Sequence, residues 1–181
     1  MGRLQEAALE LYAERGFDQT TAAQIAARAG LTERTFFRHY ADKREVLFGG
    51  SAELQDQIVQ AVAEAPQGLG ALDAVGHGLQ AAASLLGQSR RDLTAKRQAV
   101  IAANPELRER ELSKLATYAA AVADALRRRG VGNPQAALAA EAGMTVLRVG
   151  LEDWANDDRD RELTAVLEEG LAQLRAVAAG T

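Results

Sequence analysis

The chain is predicted to fold as an all-α protein of about nine helices, on three observations. Alanine dominates a composition that is 48% hydrophobic but 4% aromatic, runs of β-branched residues are absent, and three prolines interrupt 181 residues. The first helix spans 3–15, with Leu4, Ala8 and Leu11 on one face and Gly16 as a left-handed stop. The second opens on Thr21-Ala22-Ala23-Gln24, a capping-box pattern, and closes at Gly30. The third follows Thr32 as N-cap and ends near His39 or Tyr40. The fourth starts after Asp42, whose carboxylate can cap it, and carries the stripe Leu47, Gly50, Leu54, Ile58 and Val62. Longer helices follow over 69–87, 90–103, 105–129, 134–154 and 159–178. Asn104-Pro105 and Asn133-Pro134 read as a cap followed by a first-turn proline.

Composition excludes several classes. With no cysteine there is neither a disulfide framework nor a thiolate metal site. The start, MGRLQEAALELYAERG, alternates apolar and charged residues unlike a signal peptide, and no run approaches the ~20 apolar residues that span a bilayer. A soluble, cytoplasmic protein without a membrane partner is expected. The net charge of −4 opposes non-specific nucleic-acid binding by the whole molecule. It does not oppose a local basic face. Between Arg28 and Arg44, five basic side chains (Arg28, Arg34, Arg38, Lys43, Arg44) meet two acids (Glu33, Asp42), a local +3.

That charge lies on short helices. The second and third, separated by Gly30-Leu31-Thr32, have the size and punctuation of a helix-turn-helix. Ala26 and Ala29 allow a close crossing, while Ile25 and Leu31 supply local core. The third helix would present Glu33, Arg34, Thr35 and Arg38 outward, where arginine can read guanine and a threonine methyl can pack on thymine. Lys43 and Arg44 would stand in the first turn of the fourth helix. That placement is mildly unfavourable against the helix dipole but suits a phosphate clamp, with His39 and Tyr40 donating to the same DNA backbone.

The segment FDQTTAAQIAARAGLTERTFFRHYADKREVL resembles the N-terminal DNA-binding domain of the TetR family of transcriptional regulators. The likeness runs from about Leu4 to Leu47 and holds in order and spacing at Gly16-Phe17, Thr20-Thr21, Ile25-Ala26, Ala29-Gly30 and Thr35 through Lys43. It implies a helix-turn-helix domain over 1–44 and a helical effector-binding and dimerisation domain over 45–181. It further implies a homodimer on a palindromic operator, usually repressing, and a small organic inducer. The DNA-facing set expected here is Thr21, Thr32, Arg34, Thr35, Phe36, Arg38, His39, Tyr40 and Lys43. Two departures matter. Phe37 stands where the family often has a phosphate-binding tyrosine, and only Met1-Gly2-Arg3 precede the first helix, so no minor-groove arm is expected.

The last two helices carry the expected dimer seam: Gly143, Leu147 and Gly150 on the penultimate, and Leu163, Leu167, Leu171 and Leu174 on the last. The resemblance agrees, since these helices usually pair into a four-helix dimer bundle. His77, Tyr118, Met144 and Trp154 are the candidates to line an effector pocket. Gly49-Gly50 is expected to act as a hinge in the fourth helix, taken as the one continuous element joining the DNA end to the large domain. Catalysis is not expected: the only histidines, His39 and His77, are far apart in sequence, and no nucleophile elbow occurs. GVGN at 130–133 follows a helix, so it is a turn, and His39-x-x-Asp42 is too thin for a metal site; no metal or cofactor is expected. The rival to a regulator is a helical homodimeric interaction module without specific DNA binding.

Overall fold

Capping hydroxyls and left-handed glycines divide the first forty residues as their chemistry dictates. In the computed structural model, which describes residues 2–87, 90–157, 159 and 161–180, α1 (Gly2–Arg15) ends as the Gly16 N–H donates to the Tyr12 carbonyl and Gly16 turns left-handed, φ +83°. Before α2 (Ala22–Arg28), Thr21 and Gln24 form the reciprocal capping box, 3.2 and 2.9 Å. It closes in a Schellman turn, the Leu31 N–H reaching the Ala26 carbonyl at 2.8 Å around left-handed Gly30. Thr32 caps α3 (Glu33–His39) by accepting from the Thr35 N–H.

The fourth helix departs from expectation. Asp42 caps a short turn instead, accepting from the Arg44 and Glu45 N–H groups at 2.7 and 3.2 Å. A 3₁₀ segment (Glu45–Phe48) follows, then Gly49 in extended and Gly50 in left-handed backbone. Only then does α4 (Ser51–Glu64) begin, followed by α5 (Ala71–Leu86), α6 (Arg91–Ala103), α7 (Pro105–Arg128), α8 (Gln135–Asn156) and α9 (Leu163–Ala179). Gly49 and Gly50 thus lie outside any helix, and Lys43 and Arg44 do not open one. Nine α-helices and no strand occur among the described residues. α8 starts one residue later than expected, at Gln135, and the Asn133 side chain accepts from Arg127 Nε. α9 starts at Leu163, after Glu162 in extended backbone; of the residues expected to open it, Asp160 lies outside the described ones.

The chain forms two units, each with its own core. The first comprises the residues up to Ser51 together with Asp92–Glu111; the second comprises Ala52–Arg91 and everything from Leu112 onward. The first unit thus takes in 45–51 and 92–111 beside the expected 1–44. Ile101 and Leu107 are buried in the same cluster as Leu9, Ile25, Phe36 and Leu47, which brings α6 and the start of α7 into the first unit. The 3₁₀ segment and the two glycines interrupt the expected lever ahead of α4, whereas α7 runs unbroken from residues of the first unit into those of the second.

In the second unit, small residues let helices approach. A Cβ on Gly143 would lie 2.2 Å from Val75 Cγ1, and one on Gly150 would lie 2.6 Å from Leu167 Cδ2. Leu147, Leu163, Leu167 and Leu171 are buried within this single chain, and Leu174 packs against the same core. These residues of the expected dimer seam fill an intramolecular core, because α8 and α9 bury their most apolar faces on α5 and on each other. A glutamate at Leu167 would therefore break the fold before it reported on assembly. Gly143→Ala is expected to lower stability by ~1–3 kcal/mol through overpacking, and Val75→Ala in the same chain should recover part of it. Urea unfolding followed by circular dichroism measures both.

Candidate nucleic-acid interface

Within the first unit, α3 lies across α2 with one face in the core and the other in solvent. Phe36 is wholly buried and Tyr40 nearly so, while Arg34, Phe37, Arg38 and His39 are exposed. Residues three and four apart share a helix face, so Arg34, Phe37 and Arg38 stand together. Thr35 is half-buried, and its hydroxyl lies 3.0 Å from that of Thr32.

The local excess of positive charge resolves into spent and unspent cations. Arg28 bonds Glu10 at 3.0 Å and Glu14 at 2.8 Å, and the guanidinium holds the Glu14 carboxyl below its usual range. Arg44 turns back onto Asp42 at 2.6 Å, and that bond lowers the Asp42 carboxyl in the same way. The Lys43 ammonium donates to the carbonyls of Phe17, Asp18 and Thr20 at 2.8, 3.2 and 3.1 Å and lies 4.3 Å from the centre of the Phe17 ring. An ammonium has three N–H donors, so Lys43 is fully engaged. Of the five basic side chains, Arg34 and Arg38 have no hydrogen-bond or ion-pair partner among the described residues.

Several expected DNA-facing residues therefore take other positions. Lys43 is a structural fastener instead of a phosphate clamp, because the carbonyls of the α1–α2 turn consume its protons. Phe36 is core, packed against Tyr40 and edge-on to Phe37. The Tyr40 hydroxyl points inward and has no partner, and burial pushes its phenol pKa up. A Cβ at Gly49 would stand 2.7 Å from that hydroxyl, which accounts for glycine there. Thr21 and Thr32 are exposed, each acting as a helix cap.

Sequence reasoning missed the clamp behind the head. Arg97 donates to the Leu47 carbonyl at 2.8 Å and pairs with Glu111 at 2.9 Å, while Arg110 pairs with Glu45 at 2.6 Å. Both guanidiniums face the Phe48 ring, at 5.2 and 6.0 Å. The partners are 50 and 65 residues apart, so no local pattern announces them. An open groove of about 530 Å³ lies in this unit between Tyr12, Gly16 and Phe17 on one side and Lys96, Val100 and Asn104 on the other. None of the expected effector residues lines it. Tyr118, Met144 and Trp154 are buried in the second unit's core, with the Trp154 indole donating to the Arg161 carbonyl, whereas His77 is exposed on α5 and does not join them. Among the described residues no group of acids and histidines is placed to hold a metal ion, and no helix is long and apolar enough to cross a membrane.

Residues 4–48 match the profile of the bacterial regulatory proteins of the tetR family, and residues 69–179 match that of the MftR C-terminal domain. The chain belongs to the TetR family. It is 27% identical over 158 residues to the Mycobacterium tuberculosis protein named as mycofactocin biosynthesis transcriptional regulator MftR, covering 86% of this chain and 79% of that one. A 68-residue stretch is 37% identical to the HTH-type transcriptional regulator TcmR of Streptomyces glaucescens, 38% of this chain and 30% of the other. The fold is that of FadR from Bacillus subtilis, solved with stearoyl-CoA, with a TM-score of 0.64, 21% identity and 96% of each chain covered. FadR from Thermus thermophilus, solved with lauroyl-CoA, superposes with a TM-score of 0.57 at 24% identity over 96% of this chain and 92% of that one. As a TetR-family member the chain is a DNA-binding regulator of the ligand-responsive type and not an enzyme.

The orphaned phenol yields a test. Tyr40→Phe is expected to stabilise the protein by ~1–2 kcal/mol, since it removes a buried unmade hydrogen bond. Gly49→Ala is expected to destabilise the parent and to be tolerated better when combined with Tyr40→Phe, which deletes the oxygen that the new methyl would strike. Thermal melts of the two single variants and the double close the cycle.

Proposed function

We propose that the protein is a repressor that binds a palindromic operator as a homodimer and is released by a small organic effector held in the second unit. The observation that carries the DNA reading is the pair of unpartnered guanidiniums, Arg34 and Arg38, on the solvent face of a helix whose other face is core. In this reading α3 enters the major groove, Arg34 and Thr35 address base edges, and Arg38 and His39 address bases or phosphates. Thr21 and Thr32 approach the DNA backbone at helix starts. The dimer face moves to the outer side of α8, where Leu138, Ala142, Thr145 and Val149 recur at helical spacing; Leu138 is 67% and Val149 49% exposed. The match to MftR over most of the chain supports a regulator of the same kind.

The Gly49-Gly50 turn remains the proposed hinge, as a joint before α4 instead of a weak point within it. Alanine is not a clean probe of it: at Gly49 it meets Tyr40, and at Gly50 it is strained by the positive φ.

The DNA flanking the protein's own coding region supplies the test operator. Arg34→Ala should cost ~1–3 kcal/mol there and relax preference at one base pair per half-site. Lys43→Ala should instead lower thermal stability by ~1–3 kcal/mol, as three charge-assisted hydrogen bonds are lost, and leave the salt slope of DNA binding unchanged. Fluorescence titration at several salt concentrations, beside melting curves, separates the two. Equal affinity of the parent for flanking and bulk DNA would leave the interaction module as the better reading.

A further inference from the structure

Phe37 is a large apolar side chain held out into solvent on the same face as two free arginines. It is 52% exposed, and among the described residues it is the one large hydrophobic residue exposed on the first unit. The ring is also braced. It stands edge-on to the wholly buried Phe36, with centroids 5.4 Å apart and planes at 84°, and Phe36 in turn rests on Tyr40. A braced ring loses little conformational freedom on docking. A phenyl group has no hydrogen-bonding atom, so it cannot hold a phosphate oxygen, and leaving it in water gains the free protein nothing.

The major groove offers one apolar group to such a ring, the C5-methyl of thymine. We infer that Phe37 is a specificity-determining residue that selects thymine in each half-site by burying that methyl, while Arg34 and Arg38 on the same face take hydrogen-bond acceptors. This rests on the reading of α3 as the major-groove helix. Burying one methyl corresponds to about a fourfold change in affinity per half-site and about fifteenfold for a two-fold symmetric operator.

The probe is a palindrome selected by the full-length protein from a randomised DNA pool, with each thymine replaced in turn by deoxyuridine, which removes only the methyl. Binding is measured by anisotropy for the parent, Phe37→Ala and Phe37→Tyr, after melting curves show all three folded. One thymine per half-site should emerge at which deoxyuridine weakens the parent and Phe37→Tyr about fourfold but leaves Phe37→Ala unaffected. Tight, sequence-specific binding by a parent indifferent to every methyl would overturn the inference and leave the regulator reading standing. So would a Phe37→Ala variant that retains the parent's methyl sensitivity, or a selected site without thymine in its half-sites. A parent that selects no sequence at all would overturn both.

Discussion

Residues Phe17 to Thr20 turn the chain from α1 into α2, and a turn this tight leaves backbone carbonyls that neither helix can use. The Lys43 ammonium takes three of them and rests against the Phe17 ring, while the Tyr12 hydroxyl donates to the Lys43 carbonyl at 2.6 Å. The end of α1, the start of α2 and the segment after α3 are thereby tied at one point. Lys43 satisfies carbonyls of this turn and holds the segment after α3 against it. After Lys43 the Asp42 cap, the 3₁₀ segment and the two glycines carry the chain to α4.

Charge is distributed by the same logic. Exposed ion pairs such as Arg28 with Glu10 and Glu14 contribute little stability individually. They do decide which cations remain available. With Arg28, Lys43 and Arg44 occupied, Arg34 and Arg38 are the cations of this stretch left without a partner among the described residues, on the same helix face as Phe37. An acidic protein with a small unneutralised patch has little general attraction to DNA and must bind through what that patch recognises.

The second unit solves a different problem. Alanine- and glycine-rich helices have little side-chain bulk, so they bury apolar area only by approaching closely. Gly143 against Val75 and Gly150 against Leu167 are where that approach is tightest. The clamp of Arg97 and Arg110 around Phe48 shows the complementary device in the first unit, where long side chains bridge helices that small residues do not bring together.

Local chemistry determined much of this protein. The hydroxyl caps of Thr21 and Thr32, the stops at Gly16 and Gly30 and the 3.6-residue apolar period act over four or five residues, and a reader of the sequence sees all their partners at once. The all-α class, the helix-turn-helix, its family likeness and the outward face of Arg34 and Arg38 were legible for that reason. Tertiary structure decided the rest. A charged side chain carries no local sign of whether it will meet DNA or a carbonyl 26 residues away, as Lys43 does with Phe17. An apolar stripe does not say whether a second helix of the same chain or of a partner will cover it, and here Leu167 and Gly150 meet within the chain. The union of α6 with the first unit likewise arises from where Ile101 and Leu107 find their core. These outcomes depend on contacts between distant residues, and only the folded chain brings those together.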